Sequence, residues 1–223
     1  MNTTATAHQA WDQAWQTDAG RAGWLQPEPD VIELASSLRM QGKKTALDLG
    51  CGVGRHALAM AALGFETTAF DASSAGLAEV DKGAAARALK VQTAQGDMSA
   101  LPFEDGAFDY VLSFNVIYHG DETVLRKTIA EISRVLRPGG IYQGTMLSKR
   151  RFDYGVGNEI SRNTWVQPDG IGDKKHPHYF CDGRECLELF GDFEVWSLKD
   201  VDHKFDDEDR KGSWHWHLVA QKN

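Results

Sequence analysis

Three glycines at alternate positions, Gly50, Gly52 and Gly54, sit within Leu47-Asp-Leu-Gly-Cys-Gly-Val-Gly-Arg-His56. The run before them, Thr45–Leu49, is short and apolar and reads as a buried strand. After them, Arg55–Leu63 has helical periodicity and stops at Gly64, a natural C-terminal cap. A strand that passes straight into a helix through glycines opens a βαβ unit. Glycine suits that bend because it turns tightly and lets bare main chain approach a ligand. The spacing is G-x-G-x-G, not the G-x-G-x-x-G of dinucleotide folds. Asp48 stands just before the first glycine, and Asp71 closes the next strand about 20 residues on, where a carboxylate can accept both hydroxyls of a ribose. Turn and acids together point to a nucleoside ligand.

The chain continues in the same alternation. Glu66–Phe70, Val91–Gln95, Phe108–Phe114 and Ile141–Leu147 read as strands, and Ser74–Leu89 and Thr123–Leu136 as helices. In the second helix Val124, Ile129, Ile132, Val135 and Leu136 fall on one face, and Pro138-Gly139-Gly140 ends it. Right-handed crossovers make such strands a parallel sheet covered on both sides. Residues 148–180 show no sustained period. A helix at Arg184–Phe190 follows, with Asp182 and Glu185 at capping-box spacing. Phe193–Leu198 and Ser213–Gln221 are consecutive strands expected to pair antiparallel, with the acidic Asp202–Lys211 as a solvated hairpin loop without an EF-hand pattern. The expected architecture is α/β and doubly wound: a mostly parallel seven-stranded sheet, helices on both faces, and an antiparallel final strand. We expect one domain over 1–223, with a helical arm at 1–29 carrying Trp11, Trp15 and Trp24 and an insert at 148–180.

Charge and composition narrow the partners. The 223 residues carry 24 Lys+Arg against 32 Asp+Glu, a net −8, and the sole basic cluster is Lys149-Arg150-Arg151. Nucleic acid is therefore an unfavoured partner. Three cysteines are too few and too odd in number for a disulfide scaffold. No basic-then-apolar leader is present, and no run reaches the ~18 to 20 apolar residues of a membrane span. A soluble cytoplasmic protein is expected.

The glycine turn with its two acids resembles the class I S-adenosylmethionine (SAM) dependent methyltransferase family, and the likeness extends over about residues 45–147. Gly96-Asp97-Met98 is similar to that family's adenine-contacting segment. Leu101-Pro-Phe-Glu-Asp-Gly-Ala-Phe-Asp-Tyr-Val-Leu112 resembles its fourth-strand motif, and Arg134-Val-Leu-Arg-Pro-Gly-Gly140 the turn before its fifth strand. The resemblance implies SAM as cofactor. Asp48, Gly50, Cys51 and Gly52 would belong to the methionine end, Asp71 and its neighbour Ala72 to the ribose, Asp97 to the adenine amino group and Met98 to the ring face. Phe114 and Asn115 would lie beside the cofactor. Trp11-Asp-Gln-Ala-Trp15 and Trp24-Leu-Gln-Pro-Glu28 are similar to the opening of thiopurine and tellurite-resistance type methyltransferases, which implies that Trp11 and Trp15 fold over SAM.

Other readings compete at several positions. Asp71 can cap the helix that follows it, Asp97 can be an ordinary loop acid, and Trp11 and Trp15, at i,i+4, can pack on the core. Cys51 reads as a small buried residue, not a nucleophile. His119, at the carboxyl edge of the fourth strand, is the candidate catalytic residue, as general base or acceptor contact. His176-Pro-His178 with Cys181 and Cys186 has zinc-type residues without a paired spacing, so no metal is expected. On a strand, His215 and His217 share one face and Trp214 and Trp216 the other. Arg150, Arg151, Tyr154, Trp165 and Tyr179 are candidates for an acceptor wall. Asn115-Val-Ile-Tyr118 lacks the Pro-Pro aromatic motif of amino-methylating DNA enzymes, and no Pro-Cys pair serves cytosine C5 chemistry. The expected partner is a small-molecule methyl acceptor with an O, N or S nucleophile. An RNA or protein methyltransferase and a silent SAM-binding regulator are the rivals.

Overall fold

The computed structural model describes residues 4–203 and 212–223. It opens on α1 (His8–Trp15), the short α2 (Asp18–Arg21) and α3 (Pro29–Met40) before the first strand. The alternating part then runs β1 (Thr45–Leu49), α4 (Arg55–Ala62), β2 (Glu66–Asp71), α5 (Ser74–Ala86), β3 (Val91–Gln95), β4 (Phe108–Ser113), α6 (Glu122–Val135) and β5 (Leu136–Ser148). Beyond it come β6 (Asn158–Ser161), β7 (Thr164–Val166), β8 (His178–Cys181), α7 (Gly183–Leu189), β9 (Phe193–Asp202) and β10 (Trp214–Lys222).

The central strands lie in the order β3-β2-β1-β4-β5, all parallel, and β10 joins β5 antiparallel with β9 outside it. The mostly parallel sheet with an antiparallel strand at its end is as expected, but the count is not: β8, β7 and β6 extend the expected seven strands to ten. Alternation along each strand feeds two cores. Leu47, Leu49 and Val111 face α6 and α7, whereas Ala46, Tyr110 and Leu112 face α3 and α4. The apolar stripe of α6 is buried through Val124, Leu125, Ile129, Ile132 and Val135, each burial being worth about 1.5 to 3 kcal/mol. Asp121 caps that helix by accepting the Val124 N–H at 3.0 Å, and the Asp182–Glu185 capping box of α7 is present.

Three departures have physical reasons. Helix α3 has no counterpart in the sequence reading, although Pro29 begins it and Val31, Ala35 and Leu38 are buried at helical spacing. Strand β5 begins at Leu136, so Arg137-Pro-Gly-Gly140 belongs to the strand. The pairing with β4 slips between Phe108↔Leu136 and Tyr110↔Ile141, and Gly139 takes φ +71°. The insert is also structured. Strands β6, β7 and β8 form an antiparallel patch that hangs from β5 through Leu147↔Phe180 and Ser148↔Cys181. Most of the acidic loop expected at Asp202–Lys211 lies outside the described residues. Among those described, no helix is long and apolar enough to cross a membrane.

Candidate cofactor and acceptor site

The bend between β1 and α4 turns through left-handed backbone, with φ +73° at Gly50, +52° at Gly52 and +83° at Gly54. The Gly50 and Cys51 N–H groups both donate to the Phe70 carbonyl, at 2.7 and 3.1 Å, which locks the bend to the end of β2. Asp71 then ties bend and next helix together. Its Oδ2 accepts the Gly52 N–H at 2.8 Å and its Oδ1 accepts the Ser73 N–H at 2.8 Å. Ser73 in turn caps α5 by accepting from Gly76. Asp71 thus supports the helix start and also lines the cavity beside the bend. Burial holds its carboxyl above the ordinary range against the pull of those N–H donors.

A cavity of about 370 Å³ runs along this edge of the sheet. Gly50, Cys51, Gly52, Asp71, Ala72, Gly96, Asp97, Met98, Phe114, Asn115 and His119 all line it. Asp97 spends Oδ1 on the Ser99 N–H and hydroxyl, at 2.7 and 2.8 Å, in a local turn. Asn115 leaves β4 with φ +62°, and Thr145 holds it by accepting its N–H at 2.7 Å and donating to its Oδ1 at 2.9 Å. Burial pushes the Cys51 thiol up, so no thiolate forms at neutral pH.

Asp48 is the one proposed cofactor residue outside the cavity wall. It is 2% exposed on β1, beneath the bend, with Oδ2 unpartnered, and burial raises its carboxyl to about 7 despite the Ala57 N–H beside it. It sits inward because strand alternation gives Asp48 the opposite face from Leu49, which reaches the cavity.

The arm covers the cavity. Trp11 and Trp15 stack with centroids 5.0 Å apart, and Trp24 meets both edge-on. All three line the hollow, so the i,i+4 pair packs on its neighbours and faces the ligand space together. The sequence reading missed Asp12, which holds the arm down. Its Oδ1 accepts from the Ser73 hydroxyl at 2.7 Å and from the Ala75 N–H at 3.1 Å. Thr6 reaches the insert, its hydroxyl 2.9 Å from His176 Nδ1.

At the other side His119 is 8% exposed, and burial lowers its imidazole to about 4, so it is neutral at physiological pH. Its Nε2 lies 3.6 Å from Asp173 Oδ2, and His178 Nε2 lies 3.3 Å from the same oxygen. His178 thus clusters with His119 and Asp173, not with Cys181 and Cys186, which are buried and free. None of Arg150, Arg151, Tyr154, Trp165 and Tyr179 lines the cavity. Arg150 lies over Trp214, Arg151 binds Asp153 and Ser213, and Tyr154 packs on Trp165 and Phe180. Cations of the insert are consumed by structural partners: Arg150 by Asp200 of β9, Lys149 and Arg162 by Glu185 of α7, and Arg151 and Lys174 by Asp153 of the insert itself.

A doubly wound sheet with a glycine bend, a following acid and a covered cleft at its carboxyl edge defines a nucleoside-cofactor enzyme of the Rossmann-like kind. Residues 46–140 match the family described as Methyltransferase domain. A protein from Streptomyces sp., named as a cypemycin N-terminal methyltransferase, is 35% identical over 185 residues, which is 78% of this chain and 74% of that one. A SAM-dependent methyltransferase structure from Methanosarcina mazei superposes with TM-score 0.71 at 20% identity, over 89% of this chain and 99% of that one. The Burkholderia thailandensis 1,6-didemethyltoxoflavin N1-methyltransferase, solved with its substrate and S-adenosylhomocysteine, superposes with TM-score 0.66 at 18% identity, over 97% and 92%. The chain belongs to the class I SAM-dependent methyltransferases, and its cofactor is SAM.

The cavity suits that cofactor. A Cβ at Gly50 would enter the Val116 side chain, and one at Gly52 would come within 3.1 Å of Trp15, so both glycines keep main chain open toward the hollow.

Proposed function

We propose that the chain transfers the SAM methyl group to an O, N or S nucleophile of a small molecule by in-line displacement. The carrying observation is that one continuous hollow joins the glycine bend, Asp71, Asp97, Met98 and His119. When bound, SAM supplies a methyl carbon made electrophilic by a sulfonium. The leaving group departs neutral, so the protein need not stabilise an anion; its tasks are alignment and exclusion of water. The main chain of Gly50, Cys51 and Gly52 would hold the methionine end, with Asp48 bracing the bend from beneath. Asp71 and Ala72 would hold the ribose, Asp97 and Met98 the adenine, and Trp11 and Trp15 would cover the cofactor. Phe114 and Asn115 would lie beside the cofactor, and His119 would face the acceptor.

We propose that residues 1–223 act as one unit in this, with the arm closing over the cofactor and the insert beside the acceptor. The Thr6–His176 contact between arm and insert supports that reading. The net charge of −8 and the partly aromatic lining favour a small acceptor over RNA. The relative named for cypemycin N-terminal methylation makes amines, including peptide N termini, the first acceptors to screen.

A panel of amines, phenols, thiols and short peptides, read by S-adenosylhomocysteine release, tests the reading. Turnover on at least one member is expected. Tight SAM binding with no product across a wide panel would instead favour a silent SAM-binding protein. Asp71→Ala is expected to weaken SAM binding by about 1 to 3 kcal/mol, through lost charge-assisted bonds and a slackened Gly52 bend. Calorimetry giving an unchanged Kd would move the ribose elsewhere.

A further inference from the structure

We infer that His119, Asp173 and His178 form a binding site for a divalent transition-metal ion at the acceptor edge of the cavity. Three separate segments supply the ligands. His119 follows β4, Asp173 lies in the 3-10 turn Gly172–Lys175, and His178 begins β8. Their ligand atoms all lie within 4.8 Å of one another, with the two contacts to Asp173 Oδ2 at 3.3 and 3.6 Å. Bonds of about 2.0 to 2.2 Å to one ion set neighbouring ligand atoms roughly 3.0 to 3.5 Å apart, so the side chains already stand near that spacing.

Proton placement supplies the second argument. His178 Nδ1 lies 2.8 Å from the His176 carbonyl, which can only accept, so Nδ1 carries the proton. Nε2, on the other side of the ring, faces the Asp173 carboxylate oxygen at 3.3 Å, so one ring nitrogen is anchored and the other is aimed into the cluster. Among the described residues no Lys or Arg pairs with Asp173; the adjacent Lys174 turns to Asp153 at 3.2 Å. A carbonyl behind Nδ1 is also the usual way a protein orients a metal-binding imidazole. Two imidazoles and one carboxylate suit zinc, iron, cobalt or manganese, and leave coordination positions open.

His119 belongs to the cavity wall, whereas Asp173 and His178 do not, so an ion held by all three would sit at the edge of the hollow. Resting on the proposed methyl transfer, this names the acceptor class further: a molecule whose nucleophilic O, N or S atom, or a neighbour of it, can ligate a metal.

The full-length chain, stripped by a chelator, is titrated with Zn²⁺, Co²⁺ or Mn²⁺ alone, by calorimetry and, for Co²⁺, by visible absorption. One ion per chain is expected. His178→Gln and Asp173→Asn should each weaken it on the order of 100-fold while SAM affinity stays within about twofold, which also shows that the variants fold. Failure of all three ions to bind, or binding that neither variant weakens, overturns the metal site and means that a proton bridges His178 and Asp173. That result leaves SAM binding and product release untouched, whereas metal binding without product from any acceptor counts against the methyl transfer and not the site.

Discussion

Gly50→Ala is expected to abolish SAM binding at any practical concentration and to cost about 2 to 5 kcal/mol of stability. Two effects combine. Gly50 has φ +73°, where an L side chain pays about 1 to 2 kcal/mol. The added Cβ also meets Val116 at its Cβ as well as both methyls, so no rotamer change relieves the overlap, and overpacking of this kind costs about 1 to 3 kcal/mol. Val116 lines the same hollow, so whichever way the strain relaxes, the bend or the opposite wall moves into the space for the methionine end. Gly42→Ala separates the two effects. Gly42 has φ +87° at the end of α3, with open space around its missing side chain. That variant should lose about 1 kcal/mol by thermal or urea unfolding and bind SAM normally. Equal losses of affinity in both variants would show that left-handed strain alone governs the site, and that the Gly50–Val116 approach has no part in it.

The cofactor half of the site was legible because its residues are local in sequence. Asp71 closes a strand, and Gly50, Asp97 and Asn115 each follow one, at the carboxyl edge, so finding the strands by their apolar runs located the cleft as well. Asp48 shows the limit of such reading. Its place in the motif associates it with the cofactor, but strand alternation turns it inward. The acceptor half is assembled from distant pieces. His119 was visible at the end of its strand, but Asp173 and His178 come from a segment without periodicity, and only the β5–β8 pairing brings that segment back to the sheet. Aromatic and cationic residues in the insert drew attention because they look like binding residues. Arg151 is instead consumed by its near neighbour Asp153 and by Ser213 and His215, the last two being contacts that only the tertiary fold creates. Helix α3 escaped notice for a different reason. Its buried positions Val31, Ala35 and Leu38 are interleaved with polar residues, so it lacks the conspicuous apolar run of a parallel strand.

Acidification is expected to destabilise the protein, because two histidines are built in as neutral hydrogen-bond acceptors. His56 Nε2 accepts the Glu28 N–H at 3.1 Å, and burial lowers its imidazole to about 3 from an ordinary 6.5. His215 Nδ1 lies 2.9 Å from the Ser213 carbonyl, which fixes the proton there, and Nε2 faces the Arg151 guanidinium at 3.1 Å. Burial, then the Arg151 charge, lowers it also to about 3. For both groups the unfolded chain binds the proton more tightly, so their stabilisation is complete above pH 6.5 and is lost progressively as pH falls toward 3. Asp48 acts in the opposite sense. Its folded value of about 7 exceeds the unfolded 3.8, so protonation on acidification through that window relieves a buried charge. Each group contributes about 1.4 kcal/mol per pH unit inside its window, so two histidines outweigh one aspartate. Between pH 6.5 and 4.5 these three groups alone give a net loss of about 3 kcal/mol; His119 and His217, lowered by burial to about 4, deepen it, while Asp71, raised by burial, opposes it, for a Tm drop on the order of 10 °C. Scanning calorimetry across that range should show it, and His56→Gln should flatten the slope by removing one of the histidine terms that oppose Asp48. A Tm that holds or rises from pH 6.5 to 4.5 would mean that Asp48 dominates, and that the two imidazoles take up protons without losing their contacts to Glu28 and Arg151.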